Sequence, residues 1–236
     1  GAPVDPSNRF LVTTGYPGAA FVNDLRSGKS LHKLDDSMVT VGVCFDDTGE
    51  RMAYFLRGKT KSGGQDDKHN GQLILCDVKD NFRELQRVTT PQLGSACVQF
   101  SPGDGEFLLP ATDRDDKMIV LESGTLTEPD WSRCLRALTL PAGKVLHHSV
   151  RWVREQHPSA PLVLQAAVDS QFHLVNLTAF VRCFEDCCFS VDQLRSLSDI
   201  SPESITILVE RWPQAVNYRD ADTGETVLHH CARSRS

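Results

Sequence analysis

Between Arg9 and Leu177 the chain alternates short apolar runs with clusters of Gly, Pro, Asn, Asp and Ser, the pattern of β-strands separated by turns. The runs predict four groups of strands. The first comprises Phe10–Thr14, Ala20–Leu25 and Leu31–Leu34, and the second Val39–Phe45, Met52–Leu56, Leu73–Val78 and Glu84–Thr89. A third comprises Ala96–Phe100, Phe107–Ala111, Met118–Leu121 and Cys134–Leu140; a fourth comprises His148–Val153, Leu162–Ala167 and Phe172–Asn176. One strand–turn–strand unit occurs twice: Val43–Leu56, with its turn Asp46-Asp47-Thr48-Gly49, and Val98–Leu109, with Ser101-Pro102-Gly103-Asp104-Gly105.

Four-stranded units that repeat without intervening helices are the pattern of propeller blades, because one short antiparallel sheet cannot hide both faces and stacked sheets can. The reading is of a mostly β chain with an α-helical tail: a partial propeller of about four blades, two of them incomplete, over residues 1–177, and a helical region over 178–236. A β-sandwich is the structural competitor. The first group lacks an opening strand and the last a closing one, so exposed strand edges are expected. The opening Gly1-Ala2-Pro3 suggests a piece of a longer protein.

Phe21–Lys29 and Leu73–Val78 resemble the third strand of a WD repeat, and Phe100–Gly105 resembles the turn between its first two strands. Asn23 and Cys76 stand where the repeat has tryptophan, before Asp24 and Asp77. The resemblance makes Asp24, Asp77, Phe45, Phe100, Gly49 and Gly105 structural-repeat residues and implies a partner-binding face built of loops. Kelch and other propellers remain alternatives.

After Leu177 the period changes. Phe180, Val181, Phe184, Cys187 and Cys188 fall on one face of a helix, Ser190 caps a second carrying Val191, Leu194 and Leu197, and Ser201-Pro202-Glu203 starts a third that Pro213 ends. The stretch Ala215–Ala232 resembles an ankyrin repeat, with Thr226-Val227-Leu228-His229 at its helix start. That resemblance implies that Thr226 and His229 hydrogen-bond to tie neighbouring turns.

The net charge of −6 argues against a general nucleic-acid binder, and no run approaches the length of a membrane span. The eight cysteines show no disulfide framework, which points to a reducing compartment, cytosol or nucleus. Cys183, Cys187 and Cys188, with His229, His230 and Cys231, are metal-ligand types, yet their spacing matches no common zinc knuckle and core packing is expected. His147-His148 beside Ser149 lacks any nucleophile motif, and Asp113–Lys117 reads as a turn. No catalytic, metal or cofactor site is expected.

The expected function is a non-catalytic scaffold or adaptor that binds other proteins. Contacts are expected in the polar loop 57–71, at Lys59, Lys61 and Asp66, and in the turn carrying Arg219 and Asp222. The alternatives are a regulatory or accessory segment of a larger enzyme and a nuclear, chromatin-associated binding module.

Overall fold

A computed structural model describes residues 3–14, 19–35, 39–57, 71–90, 98–110, 118–140, 149–154, 160–186, 202–213, 217, 219, 224–226 and 229. These residues are mostly β, in four antiparallel sheets that follow one another along the chain. The first holds β1 (Phe10–Thr14), β2 (Ala20–Asp24) and β3 (Ser30–Lys33); the second holds β4 (Val39–Phe45), β5 (Arg51–Arg57), β6 (Gly71–Asp77) and β7 (Arg83–Thr90). The third is β8 (Val98–Phe100), β9 (Phe107–Pro110) and β10 (Leu121–Glu122), and the fourth is β11 (Arg151–Val153), β12 (Val163–Val168) and β13 (Gln171–Asn176). In every sheet the strands lie side by side in chain order.

The near-continuous apolar run of β5 has a direct cause. Successive side chains of a strand point to opposite faces. Met52, Tyr54 and Leu56 join a core with Phe10, Val12, Ala20 and Val22 of the first sheet. Ala53 and Phe55 join a second core with Val98, Phe100, Leu108 and Leu121 of the third. β6 divides in the same way, Ile74 and Cys76 toward the first sheet and Leu73 and Leu75 toward the third. β9 continues the pattern, with Leu108 in the second core and Leu109 in a third core that includes Trp152, Leu164 and Ala166 of the last sheet. β5, β6 and β9 are therefore covered on both faces.

Ahead of the first sheet the chain runs beside β1: Val4 bridges Leu11, and the Val12 amide donates to the Pro3 carbonyl at 3.0 Å. β12 and β13 are joined by the two-residue turn Asp169-Ser170, both with positive φ (45° and 71°), which suits the twist of a tight hairpin. Among the described strands β13 pairs only with β12, and its Phe172 and Leu174 are each 70% exposed.

Residues Cys134–Leu140, expected as a strand, belong instead to helix α1 (Asp130–Thr139) and the residue after it. Trp131, Cys134, Leu135 and Leu138 are buried at intervals of three, one and three, the helical stripe, and Asp130 lies at the favourable end of the helix dipole. The buried Ser132 hydroxyl accepts from the Val120 amide at 2.8 Å and so ties α1 to the third sheet.

The ankyrin-type helical region is also corrected. The described residues contain three helices: α1, α2 (Leu177–Glu185, capped by Asn176, whose side chain accepts from the Ala179 amide) and α3 (Pro202–Arg211). One lies amid the sheets, and the other two do not form a stack of helix pairs that bury one another. Leu177, Phe180 and Phe184 of α2, with Trp212 just beyond α3, enter the core that holds Trp152 and Leu164, and the Phe184 and Trp212 rings meet edge-on at 5.1 Å. α2 packs on β12 and β13 as well as on α1, so its apolar face belongs to the core of the sheets and not to a stack of repeats. The second expected helix, from Ser190, lies outside the described residues. No helix among the described residues is long and apolar enough to cross a membrane.

Leu135 is fully buried at the centre of the third core. Leu135→Ala is expected to cost about 2–5 kcal/mol, read as a lower urea midpoint at an unchanged slope.

Candidate functional site

One turn design recurs where the strands enter the core. Asp5, Asp46 and Ser101 are each buried at the start of a turn. Asp46 accepts from the Glu50 and Arg51 amides at 3.0 and 3.2 Å, Asp5 from the Arg9 amide at 2.6 Å and from the Phe10 amide, and Ser101 from the Phe107 amide at 3.0 Å. The reverse bonds match, from the amides of Asp5, Asp46 and Ser101 to the carbonyls of Phe10, Arg51 and Phe107 at 3.1, 3.0 and 2.8 Å. The carbonyls of Arg9, Glu50 and Glu106 accept from Leu25, Val78 and Ser123, each at 2.8 Å. Phe10, Arg51 and Phe107 thus hold equivalent positions in three successive sheets.

At the junction of the second and third sheets this position is a plug. The Arg51 Nε bonds the Asp46 carboxylate at 3.0 Å, one terminal nitrogen donates to Ser123 Oγ at 2.8 Å, and the other donates to the Asp104 carbonyl and to that of Gly105 at 3.1 Å. The guanidinium also lies 5.3 Å from the centre of the Phe100 ring. Gly105 has φ +64°, and a Cβ there would stand 2.8 Å from the Arg51 nitrogen and 3.2 Å from Asp46 Cβ. Asp47 adds two ties, accepting from the Gly103 amide at 2.9 Å and pairing with Arg154 beyond β11.

At the junction of the first and second sheets the equivalent residue is Phe10, and the space is open. A cleft of about 360 Å³ lies between the turn Asp5–Arg9, the turn Thr48–Glu50 and the segment Val78–Phe82, with Leu31 of β3 on one wall. Its floor is aromatic: Phe82 meets Phe10 edge-on at 5.2 Å and lies 5.7 Å from His32. Asn81 and Phe82 are the central residues of a turn closed by the Arg83 amide to the Asp80 carbonyl at 3.0 Å, both with positive φ (51° and 60°), an uncommon backbone for a phenylalanine. Burial of its ring offsets that cost.

Two cations line the cleft. Lys79 is paired with Glu50, whereas the Arg9 guanidinium lies 4.7 Å from the centre of the Phe10 ring and pairs with no carboxylate among the described residues. Burial acts to raise the Asp5 pKa, but hydrogen bonds from Phe10, Ser7 and Arg9 outweigh it and hold the carboxyl below its ordinary value.

Of the repeat residues expected from sequence, Phe45 is buried in the core between the first two sheets, Phe100 lies under Arg51, and Gly49 and Gly105 take the positive φ of the recurring turns. Asp24 and Asp77 cap the turns after β2 and β6: Asp24 accepts from the amides of Arg26 and Ser27, and Asp77 from those of Lys79 and Asp80. Thr226 Oγ1 and His229 Nδ1 are 2.7 Å apart, a contact within one turn. Arg219 bridges Thr226 and donates to the Gly224 carbonyl at 3.4 Å. Lys59, Lys61, Asp66 and Asp222 lie outside the described residues, as do His147, His148 and Asp113–Lys117. Of the metal-ligand set only Cys183 and His229 are described, and no cluster of three or more such groups occurs among the described residues. Burial pushes the Cys44 and Cys76 thiols up to about 12, so both stay protonated near neutrality. Sequence reasoning missed Asp5, Arg9, Arg51 and Phe82; the available signal was a small polar residue directly after an apolar one at Val4-Asp5, Phe45-Asp46 and Phe100-Ser101.

No protein-family model matches the chain, and no curated protein sequence matches it. Among solved structures it is similar to an oligogalacturonate lyase in complex with manganese, at a TM-score of 0.51 and 9% sequence identity, over 75% of this chain and 50% of that one. The chain spans half of that lyase's length. The lyase is a β-propeller enzyme, and at this identity the likeness concerns the fold alone. It corrects the resemblance to WD repeats, for which the structure gives no support: Asp24 and Asp77 are spent on their own local turns.

Gly103 has φ +83°, and a Cβ added there would meet no atom within 4 Å, so Gly103→Ala is expected to cost only backbone strain, about 1–2 kcal/mol. Gly105→Ala should cost more because it also displaces Arg51, and the excess should shrink in an Arg51→Ala background in a double-mutant denaturation cycle, leaving the part due to Asp46 and Phe100. For Asp5 the lowered folded pKa means stability that is present above the unfolded value and lost as pH falls through the folded one. The stability advantage of the native chain over Asp5→Asn should therefore shrink below about pH 4, measured by urea unfolding across a pH series.

Proposed function

We propose that the four sheets are consecutive blades of a β-propeller and that the chain is a protein-interaction scaffold which recognises partners through the cleft between its first two sheets. The stacked antiparallel sheets and the likeness to a propeller enzyme support the architecture. The likeness supplies no ground for assigning lyase chemistry to this chain. The observation that carries the binding reading is the contrast between two equivalent junctions: Arg51 fills the one, and the other presents an aromatic floor, polar walls and a guanidinium with no carboxylate partner among the described residues. A concave surface of about 360 Å³ with a few convergent polar groups is the kind that binding sites use.

Thr48 is exposed at the cleft. Thr48→Trp should fill the mouth without touching a core, leaving the melting temperature unchanged while abolishing capture of those proteins that depend on the cleft. Affinity capture with the two chains side by side, read by quantitative mass spectrometry, tests this; identical sets of captured proteins would overturn the assignment.

A further inference from the structure

We propose that the cleft receives an acidic side chain of an extended partner peptide, with Arg9 as its counter-ion and the exposed Leu31 as the surface for an adjoining apolar residue. This rests on the reading of the chain as a protein-recognition module and adds the chemistry of what it recognises.

The charges around the cleft decide the sign of the ligand. Asp5 lines it but is saturated by the amides of Ser7, Arg9 and Phe10 and by the Ser7 hydroxyl. Glu50 is held by Lys79. Arg9 is left over: Asp24 feels its charge but spends its own carboxylate on the Arg26 and Ser27 amides. A guanidinium imitating Arg51 would enter beside Arg9, and the two carboxylates of the lining are already engaged, Asp5 by amides and Glu50 by Lys79. A carboxylate meets the one cation of the cleft that has no ion pair among the described residues.

The remaining polar groups agree with that sign. The Thr48 hydroxyl accepts from the Glu50 amide at 3.2 Å, and among the described residues it donates to nothing, so its proton is available. The Asn81 side-chain amide likewise has no hydrogen-bond partner among the described residues and can turn its two N–H donors, rather than its carbonyl, to an acceptor at the same wall. Arg9, Thr48 and Asn81 together form a donor set, and carboxylate is the protein group that only accepts. The other wall is apolar: Leu31 is 43% exposed, and the Phe10 face is already covered on one side by the Arg9 guanidinium. An acid next to an aliphatic residue uses both walls.

The test is amide-resolved NMR of the full 236-residue chain titrated with three synthetic probes, acetyl-Leu-Glu-Leu-amide and its Gln and Lys counterparts. The Glu probe is expected to move the amides of Arg9, Thr48 and Asn81 saturably, the Gln probe to bind at least about fivefold more weakly, and the Lys probe not to bind. Arg9→Gln, which keeps the backbone bond to Asp5, should remove the preference for Glu over Gln. Equal binding of the Glu and Gln probes, or a preference that survives Arg9→Gln, overturns the proposal. So does an absence of binding by every probe; if Thr48→Trp still abolishes capture of cellular partners in that case, the acidic ligand is wrong and the recognition reading stands. Glutarate binding as tightly as the Glu peptide would overturn the assignment of a peptide.

Discussion

A sheet stacked between two others has no face left for water, and most of this molecule follows from that constraint. In β5 and β6 both sets of alternating side chains are apolar because each set belongs to a different core. Polar residues can occur in quantity only at strand ends and on outer strands. β7, the outer strand of the second sheet, bears this out: its Arg87 pairs with Glu84 and reaches Asp35 beyond the first sheet at 2.9 Å. The polar interactions that join neighbouring sheets are therefore made at edges and turns, and the stacked faces are held by burial.

Burial at the turns raises a problem that burial within strands does not. A strand's amides are satisfied by the next strand, whereas a turn that enters a core leaves donors facing inward. Asp5, Asp46 and Ser101 meet this need with one side-chain acceptor each, placed to take the amides that begin the following strand. Two carboxylates and one hydroxyl serve the same geometry, so the position demands a short acceptor and not a particular charge. The charge is then free to be used: Asp46 holds Arg51, whereas the Ser101 hydroxyl brings no charge to its turn.

The strands were legible because two-sided burial writes apolar runs that turn residues cut at short intervals. Cys134–Leu140 reads as a strand because its apolar residues also satisfy a strand of the right length; the helical period emerges only when the stripe is begun at Trp131. The ankyrin resemblance rests on the motif at Thr226–His229, whose local contact exists, but a local contact says nothing about which surface a helix buries, and α2 joins the core that holds Trp152 and Leu164 of the last sheet. The cleft was not legible for a different reason. Arg51 reaches Ser123, 72 residues away, and Arg9 is distinguished by the partner it lacks among the described residues; both are properties of the assembled junctions.

A single repeat position separates a closed junction from an open one. Arg51 carries its charge into the neighbouring turn, where carbonyl oxygens, a hydroxyl and a carboxylate consume all of it. Phe107 at the same place in the third sheet meets Trp131 of α1 edge-on at 5.4 Å, so a helix closes that junction. Phe10 instead turns its ring to Phe82, which hides the apolar surface yet leaves the volume that Arg51 occupies elsewhere unfilled. The neighbouring Arg9, equivalent to Glu50 and Glu106, then brings a cation to a place where the other two turns carry an acid. The open junction differs from its neighbours in both shape and sign, and each difference arises from one residue at a defined position of the same turn.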